Sequence, residues 1–210
     1  SDFVLSQLFM QLIGGQALDD LQTLRDDREL QSLLDLRVPA PTTAGDYLRN
    51  VTPGHIRQFE AVQREALQSA YRSAIDPSPD VATVEADATY ATVYGHQQGA
   101  DRLHNREVGL HPHFAFRAET GECLHAKMRR GHASAAGDAE SVIAFARAAF
   151  DALPGRPREK RFRGDSAYNA IAFQHWLREQ DVQYAVTATM HARLRQAIEA
   201  LPATAWKPEP

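Results

Sequence analysis

Apolar residues in the first third of the chain recur at helical spacing. Phe3, Val4, Leu5, Leu8, Phe9, Leu12 and Ile13 follow the i, i+3, i+4 rhythm of a helix with one buried face, and Gly14-Gly15 stops it. A second helix is predicted over Leu18–Leu24 and a third around Glu29–Leu34, after which Val38–Thr43 ("VPAPTT") breaks the chain. Thr52-Pro53 reads as an N-cap and first-turn pair. The helix it starts carries Ile56, Phe59, Val62, Ala66, Leu67, Ala70 and Tyr71 on one side, a stripe suited to core or dimer packing. Asp76–Asp80 ("DPSPD") closes this helical region.

From residue 81 the rhythm changes. Val81–Asp87 is β-rich, and "HFAFRAET-GE-CLHAKMRR" reads as two strands joined by a tight turn at Thr120-Gly121-Glu122. Ala135–Leu153 is a predicted helix with Val142, Ile143, Phe145, Ala146, Ala149 and Phe150 facing inward. A short strand Lys160–Gly164, a helix from about Tyr168 to Gln180 and a strand from Val182 follow. The predicted fold class is therefore α/β. A ribonuclease-H-like mixed sheet of order β-β-β-α-β-α-β over 81–210 follows an all-α region over 1–76. In that topology the first and fourth strands are parallel neighbours, which brings Asp87 and Asp165 to the same sheet edge.

Composition narrows the function classes. Of 210 residues 43% are hydrophobic and 24% charged, the balance of an ordinary globular protein. A net charge of −4 argues against a wholly basic nucleic-acid binder. Basic residues nonetheless crowd two segments, Lys127–Arg130 and Arg156–Arg163, which alone read equally well as solvated faces. One cysteine, Cys123, cannot form an internal disulfide, so a reducing, cytoplasmic setting is expected. No stretch approaches the roughly 18–20 apolar residues of a membrane span. The chain opens without Met in the middle of a helical pattern, and a fragment is expected.

Two carboxylates at the ends of adjacent parallel strands suit a hard divalent cation, which prefers oxygen ligands and keeps several waters. Helix capping is the competing explanation for Asp165. The residues around both aspartates carry a resemblance. "DATYATVYGHQQGA" (Asp87–Ala100), "GLHPHFAFRAETGECLHAKMRRGH" (Gly109–His132) and "RGDSAYN" (Arg163–Asn169) resemble the DDE transposases of bacterial insertion sequences, in order and spacing. The group is the IS-four-like superfamily with its transposase DDE domain. "GGQALDDLQTLRDDRELQSLL" near the start and "YAVTATMHARLRQAIEALPATAW" near the end extend the similarity over nearly the whole chain.

The resemblance implies metal-dependent cleavage and transfer of DNA strands at insertion-sequence ends. Asp87 of a D-x-T motif and Asp165 of an R-x-D-S motif become the catalytic metal ligands for Mg²⁺ or Mn²⁺, with two ions expected. It implies double-stranded DNA as partner and a homodimer on paired ends. The family's third carboxylate, a Glu in a Y-x-x-R-x-x-x-E context, has no counterpart here, since neither Glu199 nor Glu209 stands in it. A catalytically inactive remnant that only binds DNA is the alternative. His132 departs from the Asn more usual after Gly131.

Tyr94, His96 and Gln97, on a glycine-punctuated loop, and Arg129, Arg130, Arg158, Lys160, Arg161 and Arg163 are the candidate DNA contacts. His96, His104, His111 and His113 match no zinc spacing and read as loop residues near DNA or the active site. Asp19-Asp20 and Asp26-Asp27 read as a solvated face, with Asp19 or Asp20 near a helix start. Arg163–Ser166 spells the adhesion tetrapeptide RGDS, which would need an exposed loop on an extracellular module.

Overall fold

The structure is a computed structural model that describes residues 2–73, 79–95, 97–133 and 138–206. Two compact units divide the chain at residues 61 and 62. The first holds α1 (Asp2–Leu12), α2 (Leu21–Asp26), α3 (Arg28–Leu34), α4 (Pro41–Arg49) and the opening turns of α5 (Pro53–Ser73). Met10, Leu21, Leu24, Leu36, Val38 and Ala44 form its small core. Two of the acidic residues shape this unit's backbone. Asp27 caps α3 by accepting from the Leu30 amide at 2.8 Å, and Asp20 accepts from the amides of Gln16 and Ala17 at 2.7 and 2.8 Å. Those two amides lower the Asp20 carboxyl below its usual range. α4 lies where the sequence reads as a break, because Pro41 takes the first helical turn, where its missing N–H costs nothing.

The second unit is built on a mixed five-stranded sheet. Its strands are β1 (Val81–Ala88), β5 (His113–Arg117), β6 (Cys123–Lys127), β7 (Glu159–Gly164) and β8 (Val182–Val186), in the order β6-β5-β1-β7-β8. β1 runs antiparallel to β5 and parallel to β7, and β7 is parallel to β8, as the ribonuclease-H-like reading requires. α6 (Ala139–Asp151) and α7 (Ile171–Glu179) pack on one face of this sheet, where Ala82, Val84, Ala86 and Phe162 are buried. On the opposite face Thr83, Glu85, Arg161, Arg163 and Gln183 are exposed or half-buried. The alternation is the strand period of two made visible.

Between β1 and β5 the sequence reads as one long loop, yet the chain folds there into a second, three-stranded sheet. It comprises β2 (Ala91–Thr92), β4 (Val108–Leu110) and β3 (Asp101–Arg102), all antiparallel. His132 ties this sheet to the segment after β6, with Nδ1 2.6 Å from Asp101 Oδ2. α8 (Ala192–Glu199) follows β8, and a 3₁₀ turn (Ala203–Ala205) comes after it. The predicted helix from Ala135 begins, among described residues, at Ala139, capped by Asp138; its first residues lie outside the described ones. The predicted Tyr168–Gln180 helix divides into a 3₁₀ turn, Ser166–Tyr168, and α7. On α5, Ile56, Phe59 and Val62 are exposed, whereas Leu67 and Tyr71 turn inward. Among described residues no helix is long and apolar enough to cross a membrane.

A buried polar knot fixes the β5–β6 hairpin to α5. Tyr71, 2% exposed, donates its hydroxyl to Glu122 at 2.6 Å, and Arg117, also buried, lies 3.8 Å from the same carboxylate and 3.5 Å from Glu119. A hydrogen bond to a charged acceptor is worth about 1.5–3 kcal/mol when buried. Tyr71→Phe is accordingly expected to lower the free energy of urea unfolding by about that amount with an unchanged denaturant slope.

Candidate active site

The parallel pairing of β1 with β7 ends at Ala86↔Gly164. Asp87 and Asp165 are the next residue on each strand, so both stand at the same end of adjacent central strands. Each carboxylate is oriented by a backbone amide: Asp87 Oδ1 accepts from Ala88 at 2.8 Å, and Asp165 Oδ1 accepts from Ala167 at 2.9 Å. Asp165 is thus also the N-cap of the 3₁₀ turn. The capping and ligand readings are compatible, because among described residues only one oxygen of each carboxylate is engaged.

Beneath the pair lies Tyr168, 1% exposed. Its position explains the glycine of the R-x-D-S motif: a Cβ on Gly164 would come within 2.6 Å of the Tyr168 ring and 3.1 Å of Phe162. Only glycine lets the ring lie against the strand backbone there. The Tyr168 phenol is pushed up first by burial and then by the negative charges of Asp165 and Asp87, with Arg129 opposing. Both aspartates are thus near enough to Tyr168 for their charges to act on its hydroxyl.

The Tyr168 hydroxyl and Nε2 of His113 share a hydrogen bond. His113 also stacks flat on Phe145, with centroids 4.0 Å apart and planes at 4°. Burial, and then the neighbouring basic groups Arg129, His111, Lys127 and His125, push the His113 imidazole down to about 4. It is therefore neutral at pH 7. Arg129 donates from Nε to the His111 carbonyl at 3.2 Å, and His111 donates from Nδ1 to the Ala133 carbonyl at 2.9 Å. His113, which the sequence reads as a loop residue near DNA or the active site, is instead a buried residue of β5, and Tyr168 was not a candidate. The only available signal was an aromatic residue four positions after Gly164.

The other candidates divide by position. Arg163 forms a two-point pair with Glu85, at 3.1 and 2.8 Å, beside the aspartates on the open sheet face. Arg161 is paired to Glu159 at 2.6 Å. Arg158 and Lys160 belong to the other end of β7. Lys160 is five residue steps from Asp165, about 16 Å at 3.3 Å per step along a strand, so these two do not flank the pair as expected. Arg129 is half-buried, whereas Arg130, Tyr94 and Gln97 are exposed; His96 lies outside the described residues. RGDS is no exposed loop, since Arg163 and Gly164 are strand residues of a central strand.

The donor set is two hard carboxylates without thiolate or imidazole, which fits Mg²⁺ or Mn²⁺ bound through one or two carboxylates and water. Among described residues no group of three or more His, Cys, Asp or Glu side chains forms a metal cage.

Residues 1–210 match the family described as "Transposase DDE domain group 1", and the chain belongs to that family. Curated protein sequences give no match. Solved structures similar to the chain include the HTLV-2 integrase catalytic core domain in complex with magnesium, 12% identical with a TM-score of 0.35 over 58% of this chain and 66% of that one. They also include a Mos1 mariner paired-end complex with Mn, 13% identical with a TM-score of 0.37 over 88% and 65%. A piggyBac transposase synaptic complex is 9% identical with a TM-score of 0.41, and this chain spans only 26% of its length.

Two outcomes test the packing beneath the aspartates. Gly164→Ala must displace a rigid ring and is expected to cost about 1–3 kcal/mol of stability in denaturant titration. The depressed His113 makes the unfolded state the better proton binder between pH 6.5 and 4. Stability should therefore be retained above 6.5 and fall as pH drops through that window, with a shallower slope in His113→Gln.

Proposed function

We propose that this member of the transposase DDE domain family contributes Asp87 and Asp165 to a divalent-metal site that cuts and joins DNA strands. The observation that supports the reading is the β1–β7 register, from which Asp87 and Asp165 follow at the same end of neighbouring strands. Mg²⁺ or Mn²⁺ ions, when bound, would supply an activated water or 3′-hydroxyl and stabilise charge on the leaving oxygen. Asp87 and Asp165 would hold those ions, a third carboxylate completing the set in the full catalytic centre.

The chain's own residues prepare the site. The Ala88 and Ala167 amides hold one oxygen of each aspartate in place. Tyr168 and the neutral His113 form an uncharged floor beneath the aspartates. Arg129, partly desolvated, opposes the effect of the two aspartates on the Tyr168 phenol. Exposed Arg130, with Tyr94 and Gln97 on the loop after β2, is positioned to meet DNA phosphates or bases, and a homodimer on paired DNA ends belongs to the same reading.

Calorimetric titration of MnCl₂ into the wild type, Asp87→Asn and Asp165→Asn tests it. Each variant is expected to weaken binding on the order of tenfold or more, while Asp138→Asn, at a helix cap on another element, leaves it unchanged. Three superimposable isotherms for the wild type and the two site variants would sink the assignment.

A further inference from the structure

At the end of β7 away from the aspartates lies a cavity of about 480 Å³ between α6, α7 and the turn that leads into the strand. That size falls within the range of small-molecule sites. Arg147, Arg156 and Lys160 line it, together with one carboxylate, Asp151. Its remaining wall is apolar, from Phe150, Leu153, Pro157, Trp176 and Val182. The walls are held in place. Gln68 donates to the carbonyls of Ala152 and Leu153 at 3.3 and 3.4 Å, and Gly155 takes a φ of 57° that turns the chain toward Arg156.

Two features single this cavity out. Elsewhere on β7 the cations are neutralised, Arg161 by Glu159 and Arg163 by Glu85. Among described residues none of Arg147, Arg156 and Lys160 forms an ion pair, although Arg147 sits 5.7 Å from the centroid of the Trp176 ring. The second is Trp176 itself. It is 8% exposed, and its buried indole Nε1 has no hydrogen-bond partner among described residues. A buried indole N–H ordinarily finds an acceptor.

We infer that this cavity binds the terminal phosphate of a nucleotide, either free or at the 5′ end of a DNA strand. Three cations against one carboxylate match a group of about −1.5 to −2 charge at pH 7 with three acceptor oxygens. The apolar wall receives the organic body that inorganic phosphate lacks. Nothing in this site depends on Asp87 or Asp165.

Trp176 reports on its own cavity once Trp206, the second tryptophan, is replaced, so the experiment uses the Trp206→Phe protein. Its emission is followed during titration with 5′-dAMP, a 5′-phosphorylated tetrathymidylate, the same oligonucleotide without the phosphate, and inorganic phosphate. Expected is a saturable change with at least one 5′-phosphorylated organic probe, weakened fivefold or more by Arg156→Gln and by Lys160→Gln and unaltered by Asp87→Asn. Saturation by 5′-dAMP alone identifies a free nucleotide; saturation by the phosphorylated oligonucleotide identifies a strand end. Arg156 lies on an exposed turn, so its variant keeps the test decisive if Lys160→Gln unfolds. Equal response to the unphosphorylated oligonucleotide, unchanged affinity in Arg156→Gln, or no saturable response would overturn the inference. Loss of the response in Asp87→Asn would also overturn it, by placing the ligand at the aspartates.

Discussion

The parallel pairing of β1 with β7 is the constraint on which the rest of this unit depends. Its register is enforced from the buried side, where Val84 and Ala86 of β1 and Phe162 of β7 enter the core. A one-residue slip would turn each of these toward solvent and carry Asp87 or Asp165 to the wrong face. Rings behind the strand resist such a slip. Phe162 meets Phe173 edge-on at 5.0 Å and Tyr168 at 5.2 Å, and Tyr168 closes against Gly164, where no side chain fits. The same packing that stabilises the sheet therefore aligns two carboxylates at its edge, and each is then oriented by the amide of a neighbouring residue.

Electrostatics follow from that packing. On the open face Arg163 is paired with Glu85, while on the half-buried side Arg129 opposes the two aspartates at the Tyr168 phenol. Tyr168 and His113 between them are driven toward their neutral forms, one by burial with negative neighbours and the other by burial with positive neighbours. Two acidic side chains above an uncharged aromatic floor are the setting in which the proposed site is read, and the chain's family is that of the transposase DDE domain.

Much of this was legible in the sequence where periodicity was strong. Alternation over Val81–Asp87, the Gly121 turn and the apolar face of α6 each gave the right element, and their order gave the sheet topology. Signals were lost where elements are short or polar. The strands β2, β3 and β4 are two or three residues long, too short for alternation to show. Proline concealed α4, because a residue that breaks a helix inside also starts one well. At the strand ends the two aspartates stand in motifs, His113 reads only as a loop histidine near them, and Tyr168 has no motif of its own. Their meaning comes from a contact across 55 residues of sequence. Closeness in sequence misled once, for Arg158 and Lys160, because an extended strand carries neighbours of Asp165 far from it.

The central claim is that Asp87 and Asp165 act on one bound cation site. Amide NMR spectra of the protein during titration with Mn²⁺ test this most directly, because the ion broadens signals only near where it binds. The account predicts that the Ala88 and Ala167 amides, one beside each aspartate, broaden together with the same half-saturation. Broadening of one without the other, or of neither while signals elsewhere are lost, would contradict it.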